Sequence, residues 1–177
     1  MSHRLMLFCG PLPVLEALRA TANECRLYSL LVPGSALAVL PIVGAYGDAN
    51  LPEQLWYGPI GHGAQRSLVE SDIRFAAAAS ERGPLAYIET DYFGRAGYQS
   101  AALWRDGALV MALATEGEAG DRCPEESPIN RALRGLGVVA GDGRDEFLTV
   151  GLGGYRSNDD IVNEATEAAP PAPTDAP

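Results

Sequence analysis

The sequence contains no lysine, because all 13 of its basic residues are arginine. A phosphate-binding P-loop needs a lysine after its glycines, so this class of nucleotide site is excluded. Histidine is nearly as scarce, since His3 and His62 are the two that the chain contains. A nucleophilic triad or a zinc site built on several histidines therefore has little to draw on.

Cysteine is also scarce, and the three cysteines stand far apart with no C-x-x-C pair: Cys9, Cys25 and Cys123. An odd number at this spacing argues against a disulfide framework and against a cysteine-based zinc site. The pattern favours three small, buried side chains. We therefore expect no metal and no cofactor.

No apolar run approaches the roughly 20 residues that a membrane-spanning helix requires. The first nine residues lack the long apolar core and the small-residue cleavage site of a signal peptide. We therefore expect a cytoplasmic protein.

Acidic residues outnumber basic ones by 23 to 13, which gives a formal net charge of −10. A field of this sign repels nucleic acid and anionic membranes, so we expect neither as a partner. The same field attracts basic partners, so we expect the partner to be another protein. A basic toxin domain is the specific candidate.

A length of 177 residues suits one domain. We predict a globular domain over residues 1–163. Residues 164–177 consist mainly of alanine, proline and acidic residues, which have little to bury, and we predict a disordered tail there. The glycine-rich residues 44–67 form a long connection to which the pattern assigns no role.

Hydrophobic periodicity and turn residues predict the order of the elements. An Asp106-Gly107 pair between two apolar runs predicts a tight hairpin. The order favours the α+β class, a mostly antiparallel sheet with about three helices packed on one face, or alternatively two β-α-β-β halves. The predicted strands are residues 4–9, 26–32, 36–43, 85–93, 99–104 and 108–113, and the predicted helices are residues 12–24, 68–82 and 128–136.

The most suggestive polar cluster lies in residues 87–99. Glu89 and Asp91 are two apart on a predicted strand, so both point to the same face of the sheet. Two carboxylates this close repel each other and need a cation, a proton or an arginine. Three interpretations follow: a solvated face with salt bridges to Arg95 and Arg105, a partner-binding face, or a carboxylate pair for metal or acid–base chemistry.

From this cluster we assign no catalytic residue and no metal ligand, but six candidate binding residues. They are Glu89, Asp91, Tyr92, Arg95, Tyr98 and Gln99.

Two further motifs are weak. Gly151-Leu-Gly-Gly154 follows a possible strand but lacks the full dinucleotide-binding pattern. Asp142, Asp145 and Glu146 resemble part of a calcium loop, but their spacing does not match an EF-hand. A turn with a capping acid is the better interpretation of these three residues. Separately, residues 157–160 are predicted to cap a last helical turn.

Residues 86–94 read A-Y-I-E-T-D-Y-F-G, and Gly97 and Gln99 follow them. This segment resembles a family of small uncharacterised bacterial proteins with the pattern Y-[IV]-E-x-x-Y-F-G-x-x-G-x-Q. Arg95 stands where that pattern commonly has glycine. The stretch I-N-R-A-L-R at residues 129–134 is similar to a second part of the pattern. The resemblance implies no activity. It implies only that the predicted meander of strands 85–93, 99–104 and 108–113 belongs together with the third predicted helix, residues 128–136.

Two functions of different class are consistent with these features. The first is a small acidic protein-binding protein, specifically an immunity or antitoxin-like inhibitor of a toxin, because acidic groups across an interface speed association with a basic enzyme. The alternative is a small-ligand binder or enzyme that uses Glu89 and Asp91 with Gln99 or Arg95 in one pocket. A third hypothesis is a structural homo-oligomer.

Overall fold

The computed structural model describes residues 2–21, 30–31, 36–42, 68, 70–93, 96–118, 127–141 and 143–168. Its described strands form one six-stranded sheet in the order β2-β3-β1-β4-β5-β6, and every neighbouring pair is antiparallel. The α+β class is confirmed. The strands are β1 (Ser2–Pro11), β2 (Leu30–Leu31), β3 (Leu37–Pro41), β4 (Leu85–Phe93), β5 (Ala96–Arg105) and β6 (Ala108–Glu118).

Five α-helices accompany the sheet in the described residues, two more than predicted. The additional two lie in the C-terminal region, where a short 3-10 turn (Leu152–Gly154) separates them. The helices are α1 (Leu12–Thr21), α2 (Glu70–Ser80), α3 (Pro128–Gly135), α4 (Glu146–Thr149) and α5 (Asn158–Ala168).

The helices cover both faces of the sheet, so the expectation that they lie on one face is wrong. Six successive residues of β4, Leu85–Thr90, are buried, which means that neither face of the sheet is open to solvent along this part of the strand. Helices α1 and α2 pack on one face through Val14, Leu15, Leu18, Ala76 and Ala79. The other face packs against Ile129, Leu133, Val150, Leu152 and Ile161.

Of the two β-α-β-β halves considered above, the first corresponds to β1-α1-β2-β3. The segment that precedes α2 lies outside the described residues, except Leu68.

The β4-β5-β6 meander confirms the predicted hairpin. Asp106 and Gly107 have φ angles of 52° and 77°. Positive φ at both central residues is the requirement of a type I′ turn, which glycine and aspartate tolerate best. Near this turn β6 carries a bulge, because Trp104 pairs with Leu109 but Leu103 pairs with Met111.

Helix α3 lies against the meander. A Cβ at Gly135 would collide with the Leu103 side chain, so glycine permits the helix to approach β5 closely. The Arg105 guanidinium donates to the Gly135 carbonyl at 2.9 Å. The helix begins at Pro128, as predicted, but the Ser127 hydroxyl makes no capping bond.

The C-terminal segment is fastened to β1. The Arg4 amide donates to the Arg156 carbonyl at 2.7 Å. Asn158 then bonds the Met6 backbone on both its amide and its carbonyl, and it also donates to the Ile42 carbonyl. Helix α5 continues to Ala168, so the predicted domain boundary at residue 163 falls inside it.

The start of α5 is a reciprocal capping box, in agreement with the predicted cap. The Asp160 amide donates to the Ser157 hydroxyl at 3.3 Å, and the Ser157 amide donates back to Asp160 Oδ2 at 3.0 Å. The Arg156 amide, which donates to Asp160 Oδ2 at 2.7 Å, and the Ser157 amide together lower the pKa of the Asp160 carboxyl.

None of the helices in the described ranges has the length and apolar character that crossing a membrane would need.

Candidate functional site

Strand β4 changes character along its length. Leu85–Thr90 are buried, whereas Asp91 is exposed and Phe93 is 82% exposed. The two exposed residues are two apart in a strand and therefore lie on the same face, the face that carries α1 and α2. We call Asp91 and Phe93 the hairpin end.

Glu89 sits just inside the hairpin end and is 4% exposed. Its Oε2 accepts hydrogen bonds from the Tyr87 hydroxyl at 3.1 Å and from the Ser100 hydroxyl at 3.3 Å. Burying a carboxylate is costly unless donors replace its water. The two hydroxyls supply part of that replacement, so Glu89 ties β4 to β5 beneath the exposed residues.

Glu89 and Asp91 do share a face, as the strand periodicity predicts. They nevertheless occupy different environments, because one is buried among hydroxyl donors and the other is exposed. Arg95 and Arg105 were predicted to form salt bridges with these two carboxylates. Arg105 instead bonds the carbonyl of Gly135, and Arg95 lies outside the described residues.

The remaining predicted site residues divide between the two faces. Register pairs Asp91 with Tyr98 and Thr90 with Gln99. Directly opposed residues in an antiparallel pair point to the same side. Tyr98, which is buried, therefore shares the face of Asp91, whereas Gln99 points to the opposite one.

On that opposite face, Gln99 Oε1 accepts a hydrogen bond from the Ser127 hydroxyl at 2.7 Å. Tyr92 lies on the same side, with its ring over Gly97, where an added Cβ would collide with the ring. The six predicted residues therefore do not form one surface. A single pocket that unites Glu89, Asp91 and Gln99 is excluded by the register.

Phe93 is the residue of the hairpin end that the sequence reasoning did not select. The sequence does contain a signal for it, because Phe93 continues the alternation of Glu89 and Asp91 and so lies on the same face of β4. Exposure depends on where the covering elements stop, and strand periodicity alone does not reveal that.

His3 forms a second polar centre, on the opposite face. Its Nδ1 lies 2.8 Å from the Thr90 hydroxyl, which also accepts from the Leu5 amide at 3.0 Å. The ring meets Phe147 edge-on at 5.8 Å and hydrogen-bonds the backbone carbonyl of Tyr155. His3 thus links β1, β4 and the C-terminal helices.

Burial lowers the pKa of His3 below its ordinary value of 6.5, although hydrogen bonds to the carbonyls of Tyr155 and His3 itself act the other way. The unfolded chain then binds more protons than the folded chain in this range. The free energy of unfolding should therefore be greatest above about pH 6.5 and fall as the pH drops below it. Urea denaturation between pH 7.5 and 5.5 measures this slope.

The matched control for that measurement is His3→Gln, which removes the titrating ring and keeps a hydrogen-bonding side chain. We expect a shallower pH dependence in the variant. An identical slope in both proteins would show that His3 does not carry the effect.

The weaker acidic motif has a structural role. Asp145 caps α4 by accepting from the Leu148 amide at 2.8 Å, and it accepts a second bond from the buried Asn130 side chain. Glu146 pairs with Arg134 at 3.1 Å. Asp142 lies outside the described residues. Within the described ranges, no three potential metal ligands come together.

Cys9 is fully buried in β1 with a free thiol. Burial raises its pKa to about 12, so the thiol stays protonated and unreactive near neutral pH. The other two cysteines, His62 and the residue 44–67 segment lie outside the described residues.

Comparison with known protein families, with curated proteins and with solved structures finds no match to this chain.

Proposed function

We propose that this chain is a cytoplasmic protein-binding protein of the immunity or antitoxin type, which inhibits a basic toxin by covering part of its surface with the hairpin end. The observation that carries the proposal is the 82% exposure of Phe93 beside the exposed Asp91, at the end of a strand whose preceding residues are buried.

An exposed phenylalanine on a rigid element is the kind of residue that dominates a protein interface. Buried aromatic anchors near the centre of an interface supply a large share of the binding free energy. Glu89, Tyr87 and Ser100 hold the strand immediately behind the hairpin end, so little conformational entropy is lost when a partner binds there.

The net charge of −10 supports the same class of partner. Complementary charge raises the association rate with a basic protein and disfavours acidic ones. Asp91 supplies this charge beside the aromatic anchor. Two copies of the chain would instead add like charges, which disfavours a homo-oligomer as the purpose of the hairpin end.

The test begins with capture from the source cell on immobilised wild-type chain, the Asp91→Ala/Phe93→Ala double variant and Val139→Ala. Val139 is also 82% exposed, so the last variant removes an equally exposed apolar side chain elsewhere. We expect wild type and Val139→Ala to retain one basic protein that the double variant loses.

That protein is then expressed with and without the chain. The proposal predicts arrested growth when it is expressed alone and normal growth when the wild-type chain is present. Retention of no basic protein, equal retention by the double variant, or a retained protein that is harmless would each refute the proposal.

A further inference from the structure

The exposed edge of the sheet at β6 is a second feature that the hairpin end does not explain. Strand β6 is the last in the sheet order, and no strand in the described part of the chain pairs with its outer side. A strand at such a position presents a row of backbone donors and acceptors that another chain can pair with.

Natural edge strands are commonly protected by charged residues or proline. The eight residues Ala108–Thr115 contain neither. Leu109 is 38% exposed and Val110 is 53% exposed, so two of the exposed large apolar side chains lie on this one strand. The protective device that is present is the bulge, which gives Val110 no partner on β5.

Acidic residues stand before and after the uncharged run Ala108–Thr115. Asp106 is exposed in the turn before it, and Glu116 and Glu118 belong to the last three residues of β6. Arg105, directly before Asp106, is the one basic residue in the range 105–118. One base against three acids gives residues 105–118 a formal charge of −2 around the apolar run, which complements an apolar strand flanked by basic residues.

We infer that β6 is a docking edge for an extended, basic strand of a partner protein, which adds to the sheet as a seventh strand. The inference deepens the proposed function and rests on it for the class of partner. A second copy of this chain fits less well, because it would bring the same acidic flanks and the same net charge of −10.

Strand spacing places this edge close to the hairpin end. The register puts Phe93, Ala96 and Glu118 in one row across β4, β5 and β6. Neighbouring strands lie about 4.8 Å apart, so the backbone of β6 is roughly 10 Å from that of β4 in this row. One partner can therefore contact both.

A phage-displayed library of 12-residue peptides, selected on the full wild-type chain, tests the inference without a known partner. We expect enriched peptides in which apolar and basic residues alternate. Their affinity should fall at least tenfold on Val110→Lys, which places a like charge at the bulge without removing a β5 pairing. It should be kept on Val110→Glu and on the distant control Val139→Lys.

Hydrogen exchange identifies where the enriched peptides bind. The inference predicts slower exchange of the backbone amides of β6, in the wild-type chain and equally in Phe93→Ala. No enrichment, acidic peptides, unchanged affinity on Val110→Lys, or protection away from β6 would each overturn it. Because Phe93→Ala leaves this edge intact, peptide binding to β6 that persists when partner capture fails would refute the proposed function alone.

Discussion

Replacing Asn158 with alanine should lower the free energy of unfolding by about 2–4 kcal/mol, because buried polar groups that lose a partner each cost about 1–3 kcal/mol. Asn158 is 8% exposed and makes three hydrogen bonds to the backbone of Met6 in β1 and of Ile42, the residue that follows β3. It accepts from the Met6 amide at 2.9 Å and donates to the Met6 and Ile42 carbonyls at 2.8 and 2.6 Å.

Asn158→Asp should be more damaging than Asn158→Ala. It replaces the donating amide with a carboxylate oxygen that faces two backbone carbonyls, so attraction becomes repulsion in a buried place. A negative charge in the first turn of a helix is worth about 0.3–1 kcal/mol, which is too little to compensate.

Urea denaturation with a matched control separates this effect from loss of helix stability. Asn163 lies on α5 as well but is exposed, so Asn163→Ala should change the free energy of unfolding by less than about 0.5 kcal/mol. If Asn158→Asp were as stable as wild type, the fastening of α5 to β1 and β3 would be wrong.

The second large effect concerns binding. Phe93→Ala should weaken affinity for the proposed basic partner by about 30-fold or more, since an anchor residue at an interface is worth about 2 kcal/mol or more. The folded chain should be almost unaffected, because the side chain is 82% exposed. Isothermal calorimetry measures the affinity and thermal denaturation checks the fold.

Two controls sharpen that measurement. Val139→Ala should bind within about threefold of wild type, because an exposed side chain outside the interface contributes little. Asp91→Lys should reduce the association rate, and the reduction should shrink as salt is raised and screens the charge. Wild-type affinity in Phe93→Ala would contradict the role of the hairpin end.

The local features of the fold were largely predictable. The bounds of β4, the Asp106-Gly107 turn and the start of α3 at Pro128 all follow from short-range chemistry: alternation, positive φ and a proline at the first helical position. Each of these signals is read within a few neighbouring residues, so no knowledge of the tertiary structure was needed.

Features that depend on distant packing were not predictable in this way. The alanine-rich and acidic composition after residue 163 predicted a disordered tail, yet α5 continues to Ala168. The helix is anchored by Asn158 to strands more than 100 residues earlier in the chain. Composition carries no information about such a contact.

The candidate site was predictable in part. Strand periodicity placed Glu89 and Asp91 on one face, and the structure agrees. It did not show that Glu89 is buried, nor that Gln99 points the other way. The face of Gln99 follows from the pairing of Phe93 with Ala96, and the predicted start of β5 at residue 99 left that pairing undetermined.

A hydrogen-exchange footprint of the chain bound to its captured basic partner tests the central claim most directly. The account predicts slower exchange of the backbone amides around Asp91–Phe93, with those around Val139 unchanged. Protection confined to other parts of the chain, with Asp91–Phe93 exchanging as in the free protein, would contradict it.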